Sequence, residues 1–248
     1  MLALIGGSGF DGSLRFTGRR EESVGTPYGP CSSPLVFGSL EGVPCIFLYR
    51  HGLHHQFAPH RVPARANLWA LKKAGAEGVI AVATVGGAAS DLPPGSIALP
   101  DQLLDYTWGR EVTYHDDFSE GAMHADMTKP FDEALRCHLA DAAAALGESI
   151  RIGGTYACTQ GPRLETAAEV RRFVRDGADM MGMTLYPECA LAREIGLPYA
   201  ALCLSVNWAV GIAESAEGIS LEKMAALQKA GIGRAVRIAA AAMKGLKP

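Results

Sequence analysis

Apolar runs of strand length alternate along this chain with segments whose apolar residues recur at helical spacing. The pattern predicts strands over residues 2–6, 34–40, 43–48, 78–84, 97–99, 152–159, 179–183 and 199–206. It predicts helices over residues 62–74, 131–145, 165–175, 187–195 and 221–243, and a polar excursion over 101–129. Most of the strands are apolar throughout, as in sheets covered by helices on both faces. We therefore predict an α/β fold in a single domain over residues 1–248.

Composition and charge narrow the classes of partner. The chain has 248 residues, of which 48% are hydrophobic and 20% are charged, within the ordinary range of a globular protein. Its formal net charge is −3 and it has no dense run of Lys or Arg, which argues against a nucleic-acid partner. A small anion held by one or two arginines remains compatible with this composition.

Three sequence features indicate the compartment. No apolar run is long enough to cross a membrane, and the start at Met1 lacks the features of a signal peptide, so no membrane partner is expected. Six cysteines are scattered without a C-x-x-C pair. Buried, reduced thiols in a cytoplasmic protein are the simplest interpretation.

Two motifs at strand ends could bind an anion. Gly6-Gly-Ser-Gly9 follows a strand directly, and such loops aim backbone N–H groups and a hydroxyl, here that of Ser8, at an anion. A tight turn explains the glycines equally well. Arg50 and His51 end a predicted hairpin strand, where Arg50 suits a bidentate contact with phosphate. The alternative is an Arg50 paired with a carboxylate. The nearby histidines lack the spacing of a zinc site, and no metal is predicted.

Other strand ends carry candidate contact groups. The strand over 82–87 ends in Gly86-Gly87, where a ligand can approach the backbone closely. Met183 and Thr184 follow the strand over 179–183, although Met183 could be a core residue and Thr184 a helix cap. Glu165 could merely favour a helix N-terminus. Asn207, at the end of a very apolar strand, requires a polar partner, and a ligand is a natural one.

Taken in chain order, these pieces resemble the trimeric purine nucleoside phosphorylase and methylthioadenosine phosphorylase family. The resemblance covers roughly the whole chain and is carried by the following segments: Gly6–Gly9, Arg50-His51, Arg65-Ala-Asn67, Gly161-Pro-Arg163, Gly182-Met-Thr184, Pro187-Glu188 and Asn207. It implies a mixed, partly barrel-like central sheet flanked by helices. It also implies phosphorolysis of a nucleoside, with inorganic phosphate as co-substrate, no metal or organic cofactor, and a homotrimer.

The resemblance also implies roles for individual residues. Phosphate would be held by Ser8, Arg50, His51, the Thr84 amide and Thr184. The base would meet Val85, Gly86, Leu164, Glu165 and Asn207. The sugar and its 5′ group would meet Met183, Leu221, Met224 and His124 of a neighbouring subunit. Catalysis would rest on Asn207, Glu165, Arg50 and His51. The chain departs from the family pattern at two of these regions, with Ala83 in place of a phosphate-binding Thr and Leu164 in place of Phe.

The branch of the family follows from the base-reading pair and the 5′ region. A 6-oxopurine donates N1–H to a carboxylate and accepts at O6 from an amide, which matches Glu165 and Asn207. The inosine-cleaving branch places a histidine near the 5′-hydroxyl, but no histidine follows His138 here, whereas Leu221 and Met224 suit a thioether. We therefore predict 5′-methylthioinosine as substrate. Methylthioadenosine, ordinary purine nucleosides and a non-catalytic nucleoside-binding module are the alternatives.

Overall fold

The computed structural model describes residues 1–10, 16–119 and 121–246. Its strands are β1 Leu2–Gly6, β2 Phe16–Glu22, β3 Leu35–Leu40, β4 Val43–Tyr49, β5 Gly78–Gly87, β6 Ile97–Leu99, β7 Gln102–Asp105, β8 Arg151–Ile152, β9 Thr155–Cys158, β10 Met180–Gly182 and β11 Tyr199–Trp208. Its α-helices are α1 Ala64–Lys73, α2 Glu133–Ala145, α3 Ala167–Arg175, α4 Leu185–Glu194 and α5 Leu221–Gly245. Two short 3₁₀ helices span Pro59–Arg61 and Ala213–Ala216.

All of these strands belong to one mixed sheet centred on β5. β5 runs parallel to β1 and β11 and antiparallel to β10. From β10 the pairing continues to β9, and from β11 it continues through β6 to β8. Because β8 and β9 are consecutive in the chain, the segment 151–158 joins the two branches into a ring. The predicted α/β fold with a mixed, partly barrel-like sheet is therefore confirmed.

Helices cover the two faces of this sheet, as the alternation along β5 requires. Val79 and Ala81 belong to the apolar cluster that includes Leu68 of α1 and Leu191 of α4. Ile80, the residue between them, lies in a second cluster with α2 and α5 residues such as Leu139 and Ile238. Side chains at the helix starts cap three of the helices: Asp132 for α2, Thr166 for α3 and Ser220 for α5.

Several predicted boundaries were wrong for local reasons. β2 went unpredicted because its side chains are polar and almost all exposed, as expected at a sheet edge. The single strand predicted over 152–159 is two strands, separated by Gly153 and Gly154, both at positive φ. Helix α3 starts two residues later than predicted, after the N-cap Thr166, so Glu165 lies in the preceding loop. The polar excursion contains a strand, β7.

The six cysteines are unpaired, but they are not all buried as predicted. Cys45, Cys158, Cys189 and Cys203 are buried, Cys31 is half-buried, and Cys137 is exposed on α2. Cys137 lies on the solvent side of a helix whose buried positions include Leu135 and Leu139. No helix in the described ranges is both long enough and apolar enough to span a membrane.

Candidate active site

The strand pairing leaves a short stretch of β5 open along one edge. On that edge β1 pairs with β5 only as far as Val82, and β10 begins pairing only at Gly86. Ala83, Thr84 and Val85 between them have no strand partner there within the described residues. Since β1 and β10 approach from opposite directions, their carboxyl ends converge on this gap. Ligands of α/β proteins commonly bind in a crevice outside the carboxyl ends of strands, as at this gap.

A cavity of about 210 Å³ occupies this gap. It is lined by Gly7, Ser8, Arg50, His51, His55, Pro59, Ala83, Thr84, Val85, Gly86, Pro162, Leu164, Glu165, Met181, Gly182, Met183, Thr184, Val206, Asn207, Ala209 and Met224. The fold thus brings together twelve of the fourteen predicted site residues, from strands, loops and helix α5 spread over more than two hundred positions of the chain. Leu221 and His124 are the two that do not line it.

Arg50 is held differently from the bidentate phosphate contact that its position suggested. The side chain is fully buried, and its Nε and Nη2 donate to the two carboxylate oxygens of Glu188 at 2.6 and 2.9 Å. Nη1 donates to the Val82 carbonyl at 2.8 Å. The planar fork therefore pairs with a carboxylate, the alternative interpretation from the sequence. One N–H on each terminal nitrogen remains without a described partner, so Arg50 can still contribute a donor to the cavity.

Glu188 also accepts a hydrogen bond from the Tyr199 hydroxyl at 2.6 Å. Burial alone would lower the pKa of Arg50, but the Glu188 carboxylate raises it above its usual value, so the guanidinium stays charged. The buried trio of Arg50, Glu188 and Tyr199 therefore holds a charged guanidinium, balanced by its carboxylate partner, in a fixed position at the cavity.

His51 is neutral, and its tautomer follows from its partner. Burial, and next the Arg50 cation, lowers the pKa of His51 to about 4. Its Nδ1 lies 2.8 Å from the Phe57 carbonyl, which can only accept, so Nδ1 carries the proton. Nε2 is then a bare lone pair. The ring stacks on His55, with the ring centroids 4.4 Å apart.

Ser8, Thr84 and Thr184 complete this end of the cavity. Thr184 occupies the N-cap position of α4, yet its side chain makes no capping hydrogen bond. The capping role considered for this residue is therefore absent, and the hydroxyl is available to a ligand. The Thr184 backbone N–H is held by the Tyr156 hydroxyl at 3.2 Å.

Glu165 and Asn207 line the same cavity from opposite sides of β5. A bulge in β11 makes this possible: Ser205 pairs with Val85 and Asn207 with Gly86, so Val206 is an extra residue. Without the bulge, Val206 and Asn207 would point to opposite faces, whereas both line the cavity. The Asn207 amide donates to the Trp208 carbonyl at 2.5 Å, which leaves its oxygen and one N–H without a partner among the described residues.

The two methionines predicted to meet the sugar and its 5′ group, Met183 and Met224, are both half-buried in the cavity lining. Leu221 is an exception to the prediction: it is the first residue of α5, and its side chain is 72% exposed and outside the lining. His124 is exposed on the polar excursion, where its ring meets Phe118 at 5.6 Å. Its predicted role belongs to a neighbouring subunit and stays a prediction.

Sequence reasoning missed three residues that organise the site. Glu188 was noted only as part of a motif, and Thr159, which donates to Glu165, was not noted at all. Arg110 donates to the carbonyls of Thr159 and Gln160, and also to those of Met183 and Tyr186. It thereby ties together two loops that form the cavity wall. No local sequence pattern marks these residues. Glu188 and Arg110 contact partners at least eleven positions away, and Thr159 contacts Glu165, which lies in an irregular loop.

Within the described ranges, no three His, Cys, Asp or Glu side chains lie close enough together to hold a metal ion. The functional groups in the cavity lining include a charged guanidinium, a neutral imidazole, hydroxyls, a carboxylate and an amide.

Comparisons with known proteins identify the family. The Phosphorylase superfamily matches residues 2–243, so the chain belongs to that superfamily. A protein of Pseudomonas syringae pv. tomato named "Probable S-methyl-5'-thioinosine phosphorylase" is 44% identical over 232 residues, covering 94% of each chain. An "S-methyl-5'-thioadenosine phosphorylase" of Mycolicibacterium smegmatis is 46% identical over 215 residues, covering 86% of this chain and 78% of that protein.

Among solved structures, a methylthioadenosine phosphorylase from Schistosoma mansoni in complex with adenine superposes with a TM-score of 0.90. It is 30% identical and covers 100% of this chain, which covers 92% of it. The fold, family and relatives together define the class: this protein is a phosphate-dependent nucleoside phosphorylase, a pentosyltransferase. Its substrates are a nucleoside and phosphate.

Proposed function

We propose that this protein cleaves S-methyl-5′-thioinosine with phosphate, releasing hypoxanthine and 5-methylthioribose 1-phosphate. The observation that carries the proposal is that Glu165 and Asn207 line one cavity, which also holds the Arg50 and His51 pair and the apolar Met183 and Met224. Relatives named for methylthioinosine at 43–44% identity support the same substrate.

The polarity of the base-reading pair favours a 6-oxopurine. The Glu165 carboxylate accepts N1–H, and the Asn207 amide donates to O6 and accepts from a proton on N7. A 6-aminopurine would place the N1 lone pair against the carboxylate and leave a buried polar group unpaired, at about 1–3 kcal/mol per group. Gly86 gives the base room, because a side chain there would meet Asn207 and Ala209 at 3.3 and 3.1 Å.

The 5′ preference rests on the apolar lining. Met183 and Met224 offer soft, polarisable contacts to a methylthio group and no hydrogen bond to a hydroxyl. Histidines are confined to the first 138 positions of the chain, so no ring from α5 can serve a 5′-hydroxyl.

The phosphate side supplies the nucleophile. A phosphate oxygen forms a bond to C1′ while the C1′–N9 bond breaks and its electron pair leaves with the base. The proton of HPO₄²⁻ ends on the base. Arg50 supplies an N–H donor from its charged guanidinium, the Nε2 lone pair of neutral His51 accepts from the phosphate hydroxyl, and Ser8, Thr84 and Thr184 donate. The Asn207 amide, by donating to O6, stabilises the negative charge that gathers on the leaving hypoxanthine, while Glu165 holds N1–H and orients the base.

A 6-amino substrate is the second candidate. The relative from Mycolicibacterium smegmatis at 46% identity is named a methylthioadenosine phosphorylase, and the solved relative from Schistosoma mansoni holds adenine. Against this candidate stands the Glu165 and Asn207 pair, whose donors and acceptors match hypoxanthine.

One assay separates these substrates. Methylthioinosine, methylthioadenosine, inosine and adenosine are each incubated with enzyme, with and without phosphate, and the free base is quantified. We expect phosphate-dependent release of hypoxanthine from methylthioinosine, with kcat/KM at least tenfold above the other three. Faster cleavage of methylthioadenosine overturns the base assignment, and faster cleavage of inosine overturns the 5′ assignment. Asn207→Asp should shift the preference toward the 6-amino base.

The remaining proposals concern organisation. We propose a homotrimer in which His124 of each neighbour closes the sugar side of the cavity. We also propose that residues 1–248 form one domain, and that catalysis uses phosphate as co-substrate without a cofactor. A cytoplasmic location accords with six unpaired cysteines. Sedimentation of the protein, and the activity of His124→Ala, test the shared site.

A further inference from the structure

Thr159 lies directly behind the base-reading carboxylate. It follows the carboxyl end of β9, is 6% exposed, and its backbone N–H donates to the Gly182 carbonyl at 2.8 Å. Its hydroxyl lies 2.6 Å from the Glu165 Oε1 and 3.4 Å from the Gly182 carbonyl. A hydroxyl has one proton to donate, and the short contact to a carboxylate is the stronger, so Thr159 donates to Glu165.

The Glu165 side chain lies at the boundary of two cavities. It lies in the loop before α3, and it lines both the nucleoside cavity and a neighbouring recess, whose lining also includes Thr159, Arg163 and Trp108. Arg163 pairs with Glu169 at 2.7 and 2.8 Å, but its positive charge also attracts Glu165. The Thr159 hydroxyl is the one hydrogen-bond donor to the Glu165 side chain among the described contacts.

The position of Thr159 is itself fixed. Arg110 donates to its carbonyl at 3.1 Å and to the next carbonyl, that of Gln160, at 2.9 Å. Arg110 and Gly182 hold the backbone of Thr159 from two sides, which fixes the position of its hydroxyl. Glu165 lies in a loop, and loops are generally more mobile than strands.

We infer that Thr159 is a specificity-determining positioning residue. Its hydroxyl donates to the Glu165 Oε1, which fixes the carboxylate between the nucleoside cavity and the recess and leaves Oε2 to accept N1–H of a 6-oxopurine. The inference rests on the proposed function, since it presumes that Glu165 reads the base. Without the hydroxyl, Glu165 turns toward the recess and Arg163, and the cavity loses its acceptor for N1–H.

The test compares hydroxyl-free and hydroxyl-bearing variants. Thr159→Val keeps the shape without the hydroxyl, Thr159→Ala is a second hydroxyl-free variant should Val disturb folding, and Thr159→Ser keeps the donor. Thr155→Val is a matched control, because it makes the same change at the start of β9, where no described hydrogen bond joins the side chain to Glu165. For each, kcat/KM is measured with methylthioinosine and methylthioadenosine, together with the KM for phosphate and the melting temperature.

We expect the 6-oxo over 6-amino ratio of kcat/KM to fall about tenfold in the two hydroxyl-free variants, with the phosphate KM within twofold of wild type. Thr159→Ser and Thr155→Val should keep the ratio within threefold. In a Glu165→Ala background, Thr159→Val should change the ratio less than twofold, because the group it positions is gone.

The outcomes separate the two claims. A wild-type enzyme that prefers the 6-amino substrate overturns the proposed function. A wild type that prefers the 6-oxo substrate, with the ratio retained in both hydroxyl-free variants, overturns the role of Thr159 alone. A ratio that falls equally in Thr159→Ser also overturns it, since the hydroxyl is then not the feature that matters.

Discussion

The buried pair of Arg50 and Glu188 makes a sharp prediction about stability. Glu188→Gln keeps the shape of the side chain but removes the charge that balances a fully buried guanidinium. It also puts an amide N–H₂ where one oxygen now accepts from Arg50 or from Tyr199. Breaking a buried ion pair by removing one partner costs about 3–5 kcal/mol.

For a chain of this length, that loss corresponds to a melting temperature lower by roughly 10 °C. Urea unfolding followed by circular dichroism measures the free energy directly. The matched control is Glu21→Gln, which breaks an exposed pair with Arg19 whose side chains are 39% and 43% exposed. Exposed pairs contribute about 0–1 kcal/mol. If Glu188→Gln destabilises the protein no more than Glu21→Gln does, Glu188 does not balance the burial of Arg50, and our account of the phosphate end fails.

Three further predictions follow from the site. Unfolded His51 titrates near 6.5 while the folded residue stays neutral down to a pKa of about 4, so the unfolded state binds more protons between these values. The contribution of His51 to stability should be complete above pH 6.5 and fall by up to about 3 kcal/mol as the pH drops to 4. Arg110→Ala should cost about 2–3 kcal/mol and lower kcat/KM, because four carbonyls in the two loops beside the cavity lose their donor. Gly7→Ala should raise the phosphate KM and cost about 1–3 kcal/mol, because its methyl group would lie 2.7 Å from the Arg50 Nη1.

Each of these has a control. For the pH dependence, unfolding free energies from pH 4 to 7 are compared with those of His51→Asn, and equal slopes in the two proteins would contradict the shifted pKa. For Arg110, a melting temperature and kcat/KM equal to wild type would show that the loops hold without it. Gly25→Ala is the control for Gly7→Ala, since a Cβ there meets no atom within 4 Å. Equal phosphate KM values in these two variants would contradict the close approach.

Much of the layered architecture could be predicted because its signals are local. The apolar run of β5 must be buried on both faces, and alternate residues such as Val79 and Ile80 do enter different clusters. The edge strand β2 escaped prediction because an exposed polar strand has no burial pattern to detect. Twelve of the fourteen site residues that the family resemblance implied line one cavity. Leu221 lies outside it, because it is the first residue of its helix and is exposed to solvent.

The sequence by itself determined which residue types are available to line the cavity: an acid, an amide, an arginine, a histidine and two methionines. Tertiary structure decided how they are used. Which carboxylate pairs with Arg50, and which hydroxyl aligns Glu165, depend on contacts between chain segments that no local spacing reveals. The gap along β5 and the bulge at Val206 arise only when strands pair, because register is a property of two strands and not of either one.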